Sequence, residues 1–188
     1  MTADWSPAAG TLEVLPALRR PDLLAGPVLT AVRELAAADS DRVGVAEIDP
    51  DVADTTAFCE RYRSPLELSA NCVVVAGKRG GQVRRAACLV LATTRADVNG
   101  AVKRRLDVRK ASFVPMAEAV QLTGMEHGGI TPLGLPGGWP VLVDPAVAET
   151  PSAVIGSGLR SSKLITAGEV LGRLPGAEVL PDLAQPAA

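Results

Sequence analysis

The sequence predicts an α+β protein with a mixed, barrel-like β-sheet surrounded by helices. Three observations carry that prediction. Apolar residues make up 47% of the 188 residues but aromatics only 3%, so the core is built from Val, Leu, Ile and Ala. Many of the apolar segments are short and β-branched, which marks them as strands. The helical segments between them follow no strict βαβ alternation, which suggests α+β with a closed or nearly closed sheet. The length suits one domain. A chain of this size buries roughly 70% of the surface its unfolded state exposes and needs no disulfide staples. Residues 27–188 are expected to form that domain, and residues 1–26 an irregular lead-in or a short helix.

Each element has its local reason. Pro27 suits the first turn of a helix, and Val28, Val32 and Leu35 recur at helical spacing through Ala38. The Asp39-Ser40-Asp41 cluster ends it. Val43, Val45 and Ile48 form a short strand stopped by Asp49-Pro50. Asp54 or Thr55 caps a helix to about Tyr62, which Ser64-Pro65 breaks. Cys72–Ala76 is a continuous β-branched run suited to a strand buried on both faces. With Val83–Ala92 it makes a hairpin whose tip is Gly77-Lys78-Arg79-Gly80-Gly81. A helix from about Asp97 to Leu106 follows, then extended Phe113-Val114, then a helix from Met116 to Thr123 that Gly124 stops. Val141–Val143, Val154-Ile155, Leu164-Ile165 and Val179-Leu180 are strands, with a short helix at Ala167–Leu171.

Several function classes are excluded. Cys59, Cys72 and Cys88 are an odd, scattered set and His127 is the single histidine, so neither a disulfide framework nor an ordinary zinc site is expected. A Ser-His-Asp hydrolase would have to use His127, and no G-x-S-x-G accompanies it. No apolar run approaches the ~20 residues that span a bilayer. The first twenty residues are broken by Pro7, Gly10 and Pro16 and lack the order of a signal peptide. The expectation is a soluble cytoplasmic protein.

Charge is distributed unevenly. Residues 1–77 hold six Lys/Arg against twelve Asp/Glu, and residues 111–188 three against seven. Residues 78–110 hold ten Lys/Arg against two Asp, a net of +8 in a chain of net −2. Such a block is either a solvated basic face or a site for a polyanion. If it binds phosphates, counterion release makes that binding salt-sensitive.

The most specific pattern lies between Gly124 and Gly138. This stretch holds five glycines besides Gly124, with Pro132 and Pro136. A long ordered loop in a compact domain is usually functional, and glycine lets backbone amides approach a ligand. The order Leu122-Thr123-Gly124, Gly128-Gly129-Ile130-Thr131-Pro132-Leu133-Gly134, Pro140–Asp144 and Ile155-Gly156-Ser157-Gly158 resembles the YbaK/EbsC family. That family includes the prolyl-tRNA synthetase editing domain and the free-standing YbaK, ProX and ProXp deacylases. The resemblance runs from about Val43 to Val179.

It implies an enzyme that hydrolyses the ester joining a wrong amino acid to the 3′-terminal adenosine of a tRNA. Ala or Cys on tRNA(Pro) is the expected substrate, and no cofactor is implied. Gly128 and Gly129 would give backbone contacts to the substrate, with Gly129 counted among the catalytic groups. Ile130, Thr131, Pro132 and Leu133 would shape the pocket. The partner is the tRNA acceptor end, with an aminoacyl-tRNA synthetase as a further candidate. Arg84 and Arg85 would meet the terminal nucleotides, and Lys103, Arg104, Arg105, Arg109 and Lys110 the acceptor stem. Trp139 is either a stacking platform or a packing plug.

The sequence departs from the family at one position. Many members carry a lysine where this chain has Asn71. Asparagine can hold a carbonyl or a water but brings no charge to an oxyanion, a difference worth ~2–4 kcal/mol. Lys163, after Arg160, is a candidate to bring the ammonium in from another strand, with Arg160 as a further charge at the substrate. Two rival readings remain at this stage: a binding protein without turnover, and a small-molecule hydrolase working through His127.

Overall fold

The computed structural model describes residues 3–187. Prolines at positions 7, 16 and 21 punctuate the first elements, with Pro7 and Pro21 in first helical turns that need no backbone donor. They are α1 (Ser6–Ala9), β1 (Leu15–Pro16) and single 3-10 turns at Ala17–Arg19 and Pro21–Leu23. This segment lies against the rest of the protein: Ala8, Ala17, Leu23 and Leu24 are buried, and β1 pairs antiparallel with β2 (Gly44–Glu47). Between them α2 (Gly26–Glu34) starts at Pro27 and buries Val28 and Val32. It ends earlier than the periodicity predicts, because Leu35 is extended, and a separate α3 (Ala37–Ser40) follows. The Asp54 carboxylate caps α4 (Thr55–Tyr62) by accepting the Thr56 amide at 3.1 Å.

The long hairpin forms as predicted, from β3 (Ala70–Arg79) and β4 (Gln82–Leu91), with Gly80 and Gly81 at positive φ in the turn. After β5 (Thr94–Ala96), a helical segment opens with a wide turn at Val98–Val102 and continues as α5 (Lys103–Leu106). Then come β6 (Ala111–Phe113), and α6 (Met116–Thr123), stopped at Gly124 with φ 66°. The last third holds β7 (Val141–Val143), α7 (Pro145–Ala148), β8 (Ala153–Gly156), β9 (Ser162–Thr166), α8 (Gly168–Gly172), β10 (Ala177–Val179) and β11 (Ala184–Pro186).

The fold is α+β, with three sheets ordered β1-β2-β9-β8, β10-β7-β4-β3-β6 and β11-β5. β7 runs parallel to β4 and β10, and the other pairs are antiparallel. The expected barrel does not close. A barrel needs an unbroken, staggered ladder around its circumference. Here the two larger sheets meet only at a Ser69–Val154 bridge, after which β3 and the four-residue β8 part. The main core lies between these sheets and includes Val45, Leu89, Val143, Ile155 and Leu164. A second core joins Val75, Cys88 and Leu142 to Val98, Val102 and Leu106 on the other face of the β3–β4 sheet. Val74 and Val75 are buried on opposite faces of the sheet, which accounts for the lack of alternation at the centre of the Cys72–Ala76 run, while Cys72, Val73 and Ala76 are half-buried. No described helix is long and apolar enough to cross a membrane.

Candidate active site

The gap left by the open barrel is a cavity of about 240 Å³. Its walls are the start of β3 (Asn71, Cys72, Val73), β8 and β9 (Val154, Ile155, Gly156, Lys163) and the N-terminus of α4 (Asp54, Thr55, Phe58). Gly128, Ile130 and Met116 complete the rim. β3 pairs with β6 only at Val75–Gly77, so its edge at Asn71–Val73 faces the cavity without a neighbouring strand.

Asn71 and Lys163, separated by about half of the chain, reach this one space. β9 is buried throughout, so Lys163, placed between Ala46 and Gly156, is also buried, at 7% exposure. Its ammonium donates to the Ala53 carbonyl at 2.9 Å and lies 5.5 Å from the Phe58 ring centroid. Among the described residues no carboxylate forms an ion pair with it. Burial therefore pushes its pKa down from 10.5 to about 8. Cys59 and Asp54 pull it partly back, and Arg160 pushes it further down. Asn71 is fixed from the other wall: the Thr55 hydroxyl donates to its Oδ1 at 2.9 Å. That leaves the amide N–H pair available to a carbonyl oxygen.

The glycine-proline loop is arranged differently from the sequence expectation. Gly128 and Ile130 line the cavity. Gly129 is strapped into the protein: its N–H donates to the Glu126 carbonyl at 2.9 Å and its carbonyl accepts from Gly158 at 2.7 Å. A Cβ at Gly129 would stand 2.8 Å from the Leu159 carbonyl oxygen. The glycine thus serves close backbone packing, and its amide has no bond left for substrate. Thr131 is fully buried and lines neither this cavity nor the next. Pro132 and Leu133 border a separate cavity of about 670 Å³ with Trp139. The pocket is shaped instead by Phe58, Val73, Met116 and Ile155. Arg160 is a clamp beside it. Its guanidinium donates to the His127 carbonyl at 3.1 Å and the Pro50 carbonyl at 2.8 Å, and its amide to Glu126 at 2.6 Å. His127 is exposed and lines neither cavity.

The basic block divides. Arg84 bonds the carbonyls of Leu106 and Asp107, Arg85 pairs with Glu118, and Arg105 pairs with Glu178. α5 packs through Leu106 onto the second core, so Lys103, Arg104 and Arg105 lie on the sheet face opposite α6. Arg109 and Lys110 line a groove on the near side with Lys78 and Arg85. The charge count along the chain does not separate two faces of one sheet. Asp54, Thr55, Phe58 and Met116 were not singled out by the sequence. The cap signal located the first two at a helix start but not at a site.

These arrangements can be set beside known proteins. Residues 49–174 match the model of the aminoacyl-tRNA editing domain. No curated protein matches the sequence. A proposed trans-editing enzyme for prolyl-tRNA synthetase shares the fold at TM-score 0.68 and 20% identity, over 83% of this chain and 95% of that one. A hypothetical protein does so at TM-score 0.66 and 18% identity, over 75% and 90%. A proposed signal-transduction protein from Marinobacter aquaeolei VT8 aligns at TM-score 0.57 and 18% identity, over 84% of this chain and 30% of that one. The editing-domain match spans both cavity walls and most of the chain, and the protein belongs to the aminoacyl-tRNA editing domain family.

Proposed function

We propose that the protein is a trans-editing deacylase that hydrolyses the ester of a mischarged tRNA, with a small amino acid on tRNA(Pro) as the substrate. The observation that supports this best is the meeting of the Lys163 ammonium and the Asn71 amide in one small cavity. At about 240 Å³ the space is below the ~300–1,000 Å³ of ordinary ligand pockets, which suits a short side chain.

Water adds to the ester carbonyl carbon and the carbonyl oxygen takes the negative charge. Lys163 and the Asn71 amide stabilise that oxyanion in a site where Phe58 and Ile155 exclude water. The tetrahedral species collapses, the bond to the ribose oxygen breaks, and that oxygen leaves with the proton the water brought. The Asp54 carboxylate on the rim faces the substrate's α-ammonium. The products are the free amino acid and the tRNA with its terminal hydroxyl restored.

The test is a panel of tRNAs, each charged with a labelled amino acid. Release of one small amino acid above the spontaneous rate supports the deacylase. Protection of the ester without release supports the binding-protein reading instead. The His127 hydrolase reading has no support from the cavity, which that side chain does not line.

A further inference from the structure

A second depression opens on the outer end of β3. It is a groove of about 580 Å³ lined by Lys78, Arg85, Arg109, Lys110, Phe113 and Glu118, among others. Glu118 neutralises Arg85 at 3.1 Å, so the groove keeps three cations with no acid paired to them among the described residues. On its rim stands Phe113, the last residue of the edge strand β6. Its exposure of 58% is the highest of the large apolar side chains that reach solvent. An exposed aromatic among lysines and arginines is poorly explained by packing. It is the combination by which proteins hold single-stranded nucleic acid, cations on the phosphates and a ring under a base.

The groove opens along the same row of β3 as the candidate active site. Residues two apart on a strand share a face, so Cys72, Val74, Ala76 and Lys78 form one row along β3. Cys72 lines the cavity, and Ala76 and Lys78 line the groove. Val74 between them is covered by Val114 and Ala119. Pro115 borders the groove and Met116 the cavity, so the two depressions flank the start of α6. At ~3.3 Å per residue, Cys72 to Lys78 spans about 20 Å, within the reach of a few extended nucleotides.

Resting on the deacylase reading, we propose that this groove holds the unpaired 3′ strand of the tRNA. Phe113 stacks on one of its bases, and Lys78, Arg109 and Lys110 hold its phosphates. The strand enters over the groove, passes the start of α6 and delivers the terminal ester into the cavity. Lys103 and Arg104, on the opposite sheet face, take no part in this contact.

The probe is a fluorescein-labelled ACCA tetraribonucleotide, uncharged, titrated with the full chain at several salt concentrations. Loss of one base–aromatic stack in Phe113→Ala weakens binding about tenfold. Phe113→Tyr keeps the affinity and Phe113→Leu does not, which separates stacking from packing. Lys110→Gln weakens binding and reduces the slope of log affinity against log salt by about one, while the Lys103→Gln, Arg104→Gln pair leaves both unchanged. The inference is overturned if the native protein does not bind the tetranucleotide, or if Phe113→Ala binds it as well as native. Equal displacement by a poly-glutamate peptide also overturns it, since the groove is then a general acidic-ligand site. The uncharged probe needs no turnover. A protein that binds ACCA through Phe113 and deacylates nothing keeps the groove and loses the enzyme. One that deacylates with Phe113→Ala unimpaired keeps the enzyme and loses the groove.

Discussion

Replacing Lys163 by methionine moves activity and stability in opposite directions. In the folded protein burial lowers the lysine's pKa to about 8, against 10.5 for a free side chain. Between those values the unfolded chain binds the proton and the folded chain does not, so stability rises with pH from about 8 to 10.5. Below that window the full cost of burying the ammonium is present. The shift converts to about 3 kcal/mol at most. Methionine fills much the same volume without the charge, but strands the Ala53 carbonyl, which costs about 1 kcal/mol. The variant is therefore more stable at pH 7 by about 1–2 kcal/mol, which raises Tm by about 2–8 °C. Deacylation falls instead, by about 10²–10³ for loss of one oxyanion donor. The native rate, corrected for spontaneous hydrolysis, drops about tenfold from pH 7 to 9 as the ammonium deprotonates. The assays are release of labelled amino acid from the charged tRNA across that range, and thermal unfolding of both proteins at pH 7. An active methionine variant, or a rate that climbs through pH 8 after correction, refutes the assignment. A variant both inactive and less stable gives Lys163 a structural role.

Further outcomes follow from other walls of the site. Transferring the amine, as Asn71→Lys with Lys163→Met, restores at least a tenth of native deacylation, measured against the inactive Lys163→Met single variant. Gly156→Ala puts a Cβ 2.3 Å from the Gly129 carbonyl oxygen and 2.7 Å from that of Ile130. It costs about 1–3 kcal/mol in denaturant unfolding and displaces the rim, with loss of activity. Gly137→Ala meets nothing within 4 Å and changes stability by less than about 1 kcal/mol in the same measurement. Arg160→Ala releases the Glu126–Gly128 segment from Pro50 and removes a cation that lowers the Lys163 pKa. KM rises, and the alkaline limb of the pH–rate profile moves to higher pH.

Local chemistry was legible where one strong rule acted alone. The β-branched run at Cys72–Ala76 and the glycines at 80 and 81 specify the hairpin, and Asp54 specifies the start of α4. The same rules stopped short at α2, where Leu35 keeps the helical spacing but adopts extended backbone. The family-like order of glycines located the rim, while the Gly129 amide it offered to substrate is bonded within the protein. That amide closes a local turn on the Glu126 carbonyl, and the Gly129 carbonyl is taken by the Gly158 amide, distant in sequence. Lys103–Arg105 illustrate the same gap in electrostatics. Their charge is plain in the sequence, but the sheet face they occupy follows from Val102 and Leu106 packing under Val75. Burial of Lys163 was equally hidden, since a lysine on a strand end usually reaches solvent.

The asparagine at position 71 is understandable once the site is seen as a gap between strands. A closed barrel would present each interior position from one strand only. Where β3 and β8 diverge, two walls face the same small volume, and an ammonium can be delivered from either. The chain supplies it from β9, the inner neighbour of β8, where the side chain crosses apolar core and ends against Phe58 and Ala53. Lys163 is more buried there than Asn71 is on the free edge of β3. Burial there lowers its pKa, and on the proposed reading it holds the charge in a water-poor space where its field on a developing oxyanion is strongest. On the same reading Asn71, fixed by Thr55, needs only to orient the carbonyl. Cation and amide thus come from different sheets and meet at the start of α4, where Ala53 holds one and Thr55 the other.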